Sequence, residues 1–324
     1  MTVVDWTRLP LARGTVDRAA HRRADPRTLV DGWADSSTRL VLVRDGRLAV
    51  HADDAGTRLA TPAPQDVPHL APGRAPDGTV RVFLGVGADG GAVHALVLPD
   101  TAGDVDIEGV PTGPADPPGV IWSTLRDVGH LLDDEGALLG ATAVGLAAWH
   151  ERHPRCPRCG ARTEPATSGW TRRCTADGSE HYPRTDPAVI MAVVDDDDRL
   201  LLGHATHWPA RRFSTLAGFV EPGESVEAAV RREVQEEVGL PVGEVTYQGS
   251  QPWPFPASLM LACTARATAT RITVDHDELA DARWFTRDEL AAAVDAGDVL
   301  LPMRTSVARA LIEQWFGGPL GPSD

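Results

Sequence analysis

The sequence predicts an α/β protein of more than one domain, on three observations. From Pro187 onward, apolar strand-like runs alternate with amphipathic helical ones around an antiparallel hairpin, which is the pattern of a layered mixed sheet. Residues 1 to about 120 instead carry short β-like runs separated by Gly, Pro and Asp, the mark of a β-rich α+β domain. Between these parts lies a short segment holding three of the four cysteines. A chain of 324 residues fits about two domains at ~150 residues each, and 42% hydrophobic residues exclude wholesale disorder.

In the N-terminal part the strand signals are Leu40–Val43, Leu48–Val50, Val80–Leu84 and Val93–Leu98, with Asp45-Gly46 as a hairpin turn between the first two. Residues 111–119 read as a Pro/Gly-rich connector, and about 123–152 as helical. The low-polarity run Gly136 to Trp149 is 14 residues, too short for a membrane span of about 20, so it reads as a buried helix. No internal repeat is visible. In the C-terminal part, Ala188–Val194 and Leu200–Gly203 flank a four-Asp turn. A helix at about 225–238, strands at about 244–249 and 258–265, and helices at about 287–295 and 305–316 follow.

The formal charge is −15, and every basic residue is arginine, since lysine is absent from the chain. That balance argues against a protein that coats nucleic acid non-specifically, which needs a basic face. Residues 151–185, however, form a small basic island of seven arginines against four acids. The N-terminus from Met1 to Gly14 shows no sustained apolar region of a secretory signal, and four clustered cysteines make no disulfide framework. A cytoplasmic protein is expected.

The strongest feature is Gly218 to Leu240, GFVEPGESVEAAVRREVQEEVGL. Ser225 suits an N-cap, Gly239 a C-terminal stop, and Val226, Val230 and Val234 a buried stripe. Glu233, Glu236 and Glu237 then share one face at i, i+3 and i+4. Three like charges there destabilise a lone helix, and a hard divalent cation such as Mg²⁺ or Mn²⁺ removes the conflict. Arg232 stands beside the acids, positioned to orient them. A solvated acidic face is the ordinary reading of such a run. Against it, the segment fits G-x5-E-x7-R-E-U-x-E-E-x-G-U at all fixed positions, U being a bulky aliphatic residue. This is the Nudix box, and the domain resembles a Nudix hydrolase. The resemblance implies an α/β/α sandwich with a mixed sheet. It also implies metal ligation by Glu233, Glu236, Glu237 and the carbonyl of Ala217, with Glu278 as a further acidic ligand or base. A helix-cap role for Glu278 stays open.

Beyond the box lies Ser250-Gln251-Pro252-Trp253-Pro254-Phe255-Pro256-Ala257-Ser258. Three prolines interleaved with two aromatics make a rigid extended segment with flat surfaces, and Gln251 and Ser258 add neutral polar groups. That suits a large planar heteroaromatic ligand. SQPWPFPxS is similar to the signature of NudC-type NADH pyrophosphatases. The resemblance covers the chain from about residue 120 and, weakly, what precedes it. It implies hydrolysis of NAD(H) to NMN(H) and AMP by a metal-activated water, and the same cut on an NAD cap at an RNA 5′ end. By the same resemblance Gln251 to Ser258 contact substrate, and Phe219 and Tyr182 sandwich the nicotinamide. Tyr182 would come from the partner of a homodimer. The resemblance also implies that Arg126 and the backbone of Ala308 contact substrate.

Cys156-Pro-Arg-Cys159-Gly160 is a zinc-knuckle sequence, and Cys174-Thr-Ala-Asp177-Gly178 follows. The family pattern is a zinc ribbon of four cysteines, and Asp177 replaces the fourth. Both knuckle glycines are kept, so a structural zinc on Cys156, Cys159, Cys174 and Asp177 is expected, with His181 as the rival fourth ligand and loss of the metal as the plain alternative. Cys263 reads as core, and nothing marks His204 or His207 as ligands.

The expected organisation is therefore an N-terminal domain over 1–150, a zinc ribbon over 151–185 and a Nudix hydrolase domain over 186–324. The expected protein is a homodimeric NAD diphosphatase that acts on NAD(H), related dinucleotides and NAD-capped RNA, and engages neither DNA nor membrane. Glu237 is the first candidate for the general base and Glu278 the second. Two rivals remain: a catalytically silent NAD-binding sensor and a zinc-ribbon nucleic-acid-binding protein.

Overall fold

The computed structural model describes residues 4–99, 117 and 119–321. The chain forms two compact units. One comprises residues 13–184 with 254–257. The other comprises residues up to Ala12, 185–253 and 258 onward.

The first unit carries α1 (Thr28–Ala34) and a mixed sheet of β1 (Arg39–Arg44), β2 (Arg47–Asp53), β3 (Gly56–Leu59), β4 (Val80–Val86), β5 (Ala92–Leu98) and β6 (Ile121–Thr124). The strand order is β3-β2-β1-β5-β4, with β6 also on β2. Helices α2 (Leu125–Val128) and α3 (Asp134–Arg152) follow. Leu40, Val43, Leu48 and Val93 are buried in this sheet, and Asp45 and Gly46 turn the first hairpin with positive φ. The helical reading of about 123–152 needs correcting. Ile121–Thr124 pairs with β2, and Thr124 and Asp133 each cap a separate helix. The apolar run Gly136 to Trp149 does lie within buried α3, and no helix among the described residues is long and apolar enough to cross a membrane. The connector at 111–119 lies, apart from 117 and 119, outside the described residues. A small sheet of β7 (Thr163–Ala166), β8 (Thr171–Cys174) and β9 (Glu180–His181) completes the unit.

The second unit is a three-layer sandwich. Its sheet comprises β10 (Asp186–Val194), β11 (Leu200–Ala205), β12 (Leu216–Phe219), β13 (Val242–Trp253), β14 (Ser258–Ala267) and β15 (Leu279–Phe285), in the order β13-β14-β10-β11-β15 with β12 on β10. Successive side chains of a strand face opposite sides. Val189, Met191 and Val193 of β10 therefore pack with α4 (Val226–Val238). Ile190, Ala192 and Val194 pack with α5 (Arg287–Asp295) and α6 (Val307–Phe316) on the other side. Cys263 is fully buried in the α4 layer.

The two sheets share a topology that the sequence did not reveal. In each, the first strand forms an antiparallel hairpin with the second and runs parallel to a later strand: β1 with β5, β10 with β14. Where the second unit inserts α4, the first has only two 3-10 turns, Pro64–Asp66 and Pro68–Leu70. The repeat lies in the backbone, and among the described residues only the second unit carries the acid helix.

Candidate active site and metal centres

Helix α4 begins where Ser225 accepts the N–H of Ala228 at 3.2 Å and ends at Gly239 in the left-handed region, φ 66°. Val230, Val234 and Val238 are fully buried against the sheet. This anchorage draws Glu233 and Glu237 down to 9% and 5% exposure, while Glu236 faces outward. Burial pushes the carboxyl of Glu237 up to about 8. The neighbouring charges of Glu233, Glu278 and Glu236 add to this, and the backbone N–H of Ala217 opposes it. Burial likewise raises Glu233, and Arg232 pulls it back. In extended backbone the N–H and C=O of one residue leave the same edge, so the carbonyl of Ala217 is turned toward these acids as well.

Arg232 organises the cluster. Its guanidinium donates to both oxygens of Glu224 at 2.9 Å, to Glu233 at 2.8 Å, to Glu236 at 2.9 Å and to the carbonyl of Phe219 at 2.8 Å. Glu224 is held below the usual carboxylate range by that contact. Gly218 is a steric requirement: a Cβ there would lie 1.9 Å from Cδ of Glu233. A cleft of about 360 Å³ opens beside Ala217, Glu237 and Glu278. Trp208 and Thr215 also line it, and no motif had marked them. His207 lines the cleft too, whereas His204 is tied to the carbonyl of Arg212 at 2.7 Å. Glu237, Glu278 and Ala217 line the cleft, and Glu233 acts electrostatically on Glu237 beside it; oxygen donors of this kind suit hard divalent cations.

The Pro-aromatic segment is a hairpin tip, not a free extended strap. Ser250 to Trp253 belong to β13, Trp253 pairs with Ser258, and the Phe255–Pro256 bond is cis. Gln251 faces inward and is fully buried. Its amide donates to the carbonyls of Pro10 and Thr305, and its oxygen accepts from Val307 N–H at 2.9 Å. It ties α6 to the sheet, with both amide hydrogens and one lone pair of its oxygen engaged inside the protein. Ala308 is also buried, with its N–H taken by Ser306 at 3.3 Å. Pro252, Trp253, Phe255, Ala257 and Ser258 are part-exposed, Pro254 buried and Pro256 exposed. In the first unit the Arg126 guanidinium lies 4.4 Å from the Phe255 ring centroid. Tyr182 and Phe219 are 66% and 58% exposed.

The two knuckles match each other. Gly160 N–H returns to the Cys156 carbonyl at 2.9 Å, and Gly178 N–H to that of Cys174 at 3.1 Å. Both glycines have positive φ. The ligand atoms of Cys156, Cys159, Cys174 and Asp177 lie within 4.8 Å of one another, with 3.4 Å between Sγ of Cys159 and Cys174. Three sulfurs and one carboxylate at that spacing fit tetrahedral zinc. Hydrogen bonds from Ser179 hold Asp177 down to about 2, so it stays ionised. His181 is not in the cluster; its Nε2 contacts Ser179 Oγ at 3.2 Å.

Family models match three stretches of the chain. Residues 184–303 match the NUDIX domain, 151–182 the NADH pyrophosphatase zinc ribbon domain, and 37–149 the NADH pyrophosphatase-like rudimentary NUDIX domain. The chain is 39% identical over 325 residues to a Mycobacterium bovis protein named NAD-capped RNA hydrolase NudC, covering 94% of each. The Mycobacterium tuberculosis protein of that name is 38% identical over the same span. A human protein named NAD-capped RNA hydrolase NUDT12 is 42% identical over 197 residues, 57% of this chain and 43% of the human one.

Proposed function

The chain belongs to the NudC-type NADH pyrophosphatases of the Nudix hydrolases, and on that premise we propose that it hydrolyses the pyrophosphate of NAD(H) to NMN(H) and AMP and removes NAD caps from RNA 5′ ends. The observation that carries this reading is the buried carboxyl of Glu237, which lines a cleft with Glu278 and feels the neighbouring buried Glu233. Glu233, Glu236, Glu237, Glu278 and the carbonyl of Ala217 are the residues that would hold Mg²⁺ or Mn²⁺. Such an ion, when bound, would supply Lewis-acid chemistry toward the pyrophosphate and the attacking water. The chain's own work is to position and to move a proton. Arg232 fixes Glu233 and Glu236 in place, and a carboxylate with a raised pKa is suited to accept a proton near neutrality. Glu237 is assigned that role, with Glu278 second.

Cys156, Cys159, Cys174 and Asp177 hold a structural zinc. Pro252 to Ser258, with Arg126, form the assigned nicotinamide-adenine contacts. The exposed rings of Tyr182 and Phe219 support a homodimer in which each site borrows a tyrosine from its partner. The division at about 150 and 185 is assigned to the three domains. A reducing, cytoplasmic setting suits three unpaired thiols at the zinc.

Mass-spectrometric product analysis with NADH, NAD⁺ and NAD-capped RNA side by side tests the reading. NMN(H) with AMP, or with a 5′-monophosphate RNA, is the expected outcome. Free nicotinamide, or NADH binding without any product, contradicts it.

A further inference from the structure

A cavity of about 370 Å³ opens in the first unit between its large sheet, the C-terminal end of α3 and strand β7. That volume is in the range of small-molecule pockets. Val43, Val97 and Ala148 give it apolar walls. Of the charged residues that line it, only Arg172 of β8 is buried, at 7% exposure.

The hydrogen bonds of Arg172 are all to neutral groups. Its Nε donates to Oγ1 of Thr163 at 2.7 Å, its Nη2 to the Thr163 carbonyl at 2.7 Å, and its Nη1 to Nδ1 of His150 at 2.8 Å. Nε2 of His150 lies 2.8 Å from the carbonyl of Gly169, so the ring proton sits on Nε2 and Nδ1 is bare. That tautomer is neutral and supplies no counter-charge. No carboxylate among the described residues pairs with Arg172, and the charge that acts on it is the repulsive one of Arg162, which also lines the cavity. A guanidinium does not deprotonate in proteins, and a buried unpaired charge is expensive. Of its five N–H groups, three are engaged, and the other two with the whole charge remain for something anionic.

The rim narrows the class. Asp45, Glu151 and Glu164 line the same cavity from exposed positions and repel a multiply charged ligand. We propose that this cavity binds a small monocarboxylate with an apolar body, its carboxylate paired with Arg172 and its body against the valine walls. The site is in the unit without the acid helix and does not depend on the pyrophosphatase reading.

Titration calorimetry of the full chain with hexanoate, hexanol and inorganic phosphate tests this. Saturable hexanoate binding is expected, with hexanol and phosphate at least tenfold weaker. Arg172→Gln removes the charge and should weaken hexanoate at least tenfold. Ala148→Leu fills the cavity while leaving every hydrogen bond of Arg172 intact, and should do the same; it decides the matter if Arg172→Gln fails to fold. Hexanol binding as tightly as hexanoate would reduce the site to an apolar hole. Phosphate binding as tightly would make it a general anion site. Either result, unchanged hexanoate affinity in Ala148→Leu, or no saturable binding at tens of millimolar hexanoate overturns the proposal.

Discussion

The carboxylate of Glu233 lies against the α-carbon of Gly218, so near that any side chain at 218 would occupy its place. One of the acids assigned to metal binding therefore owes its position to a residue with no side chain, on a neighbouring strand. Gly218→Ala should fold, because the atoms it meets are the carboxylate end of one side chain and not backbone. It should lose about 100-fold in NADH turnover, the order expected when a catalytic group is displaced by about 1 Å. Steady-state kinetics with a thermal melt separates the two effects; turnover within a few-fold of wild type would show that Glu233 need not occupy that position.

Arg232 has five bonds to acids and main chain, which a lysine cannot reproduce from a single nitrogen. Arg232→Lys keeps the charge and loses the fork. Turnover should fall roughly 10- to 100-fold, the usual range for residues that orient metal ligands. The Mg²⁺ or Mn²⁺ concentration for half-maximal rate should rise with it.

At the ribbon, Asp177→Ala should lower zinc content measured by elemental analysis, Asp177→Cys should retain zinc, and His181→Ala should leave it at the wild-type level. Zinc lost in His181→Ala and kept in Asp177→Ala would reverse the assignment.

Two histidines of the first unit set a pH dependence. His94 is held down to about 4 by burial first and by Arg22 and Arg81 next. His150 is held down to about 4 by burial, against the hydrogen bond to Gly169, with Arg172 adding to the depression. Both bind a proton near 6.5 when unfolded and near 4 when folded, so the unfolded state takes up more protons between those values. Stability is at its full value above about 6.5 and falls as pH drops toward 4, by an order of 3 kcal/mol for each histidine. Urea midpoints at pH 7 and pH 5 should show the fall, and His94→Gln should remove part of it. An equal slope in that variant would acquit His94.

Much of this was readable in the sequence because the features are local. A helix of fixed register carries its acids, its cap and its stop within Gly218 to Leu240, and two knuckles carry their own turn glycines. What escaped depends on long-range placement. Gln251 sits in a motif whose neighbours are part-exposed, yet strand alternation turns it inward onto Pro10 and Thr305. The shared topology of the two sheets leaves no residue pattern, since only backbone pairing repeats. Trp208 and Thr215 reach the cleft through the fold alone.

Glu237 is the most buried acid of the cluster, and its assigned role is the centre of the account. Glu237→Gln keeps the side-chain shape and replaces a buried carboxyl whose ionised form burial and three other glutamates disfavour, so the cation-free variant should melt no lower than wild type. The decisive measurement is the rate of NMNH and AMP release from NADH by this folded variant. The account predicts a fall of at least about 100-fold, the contribution of a general base. Release at near the wild-type rate would contradict it.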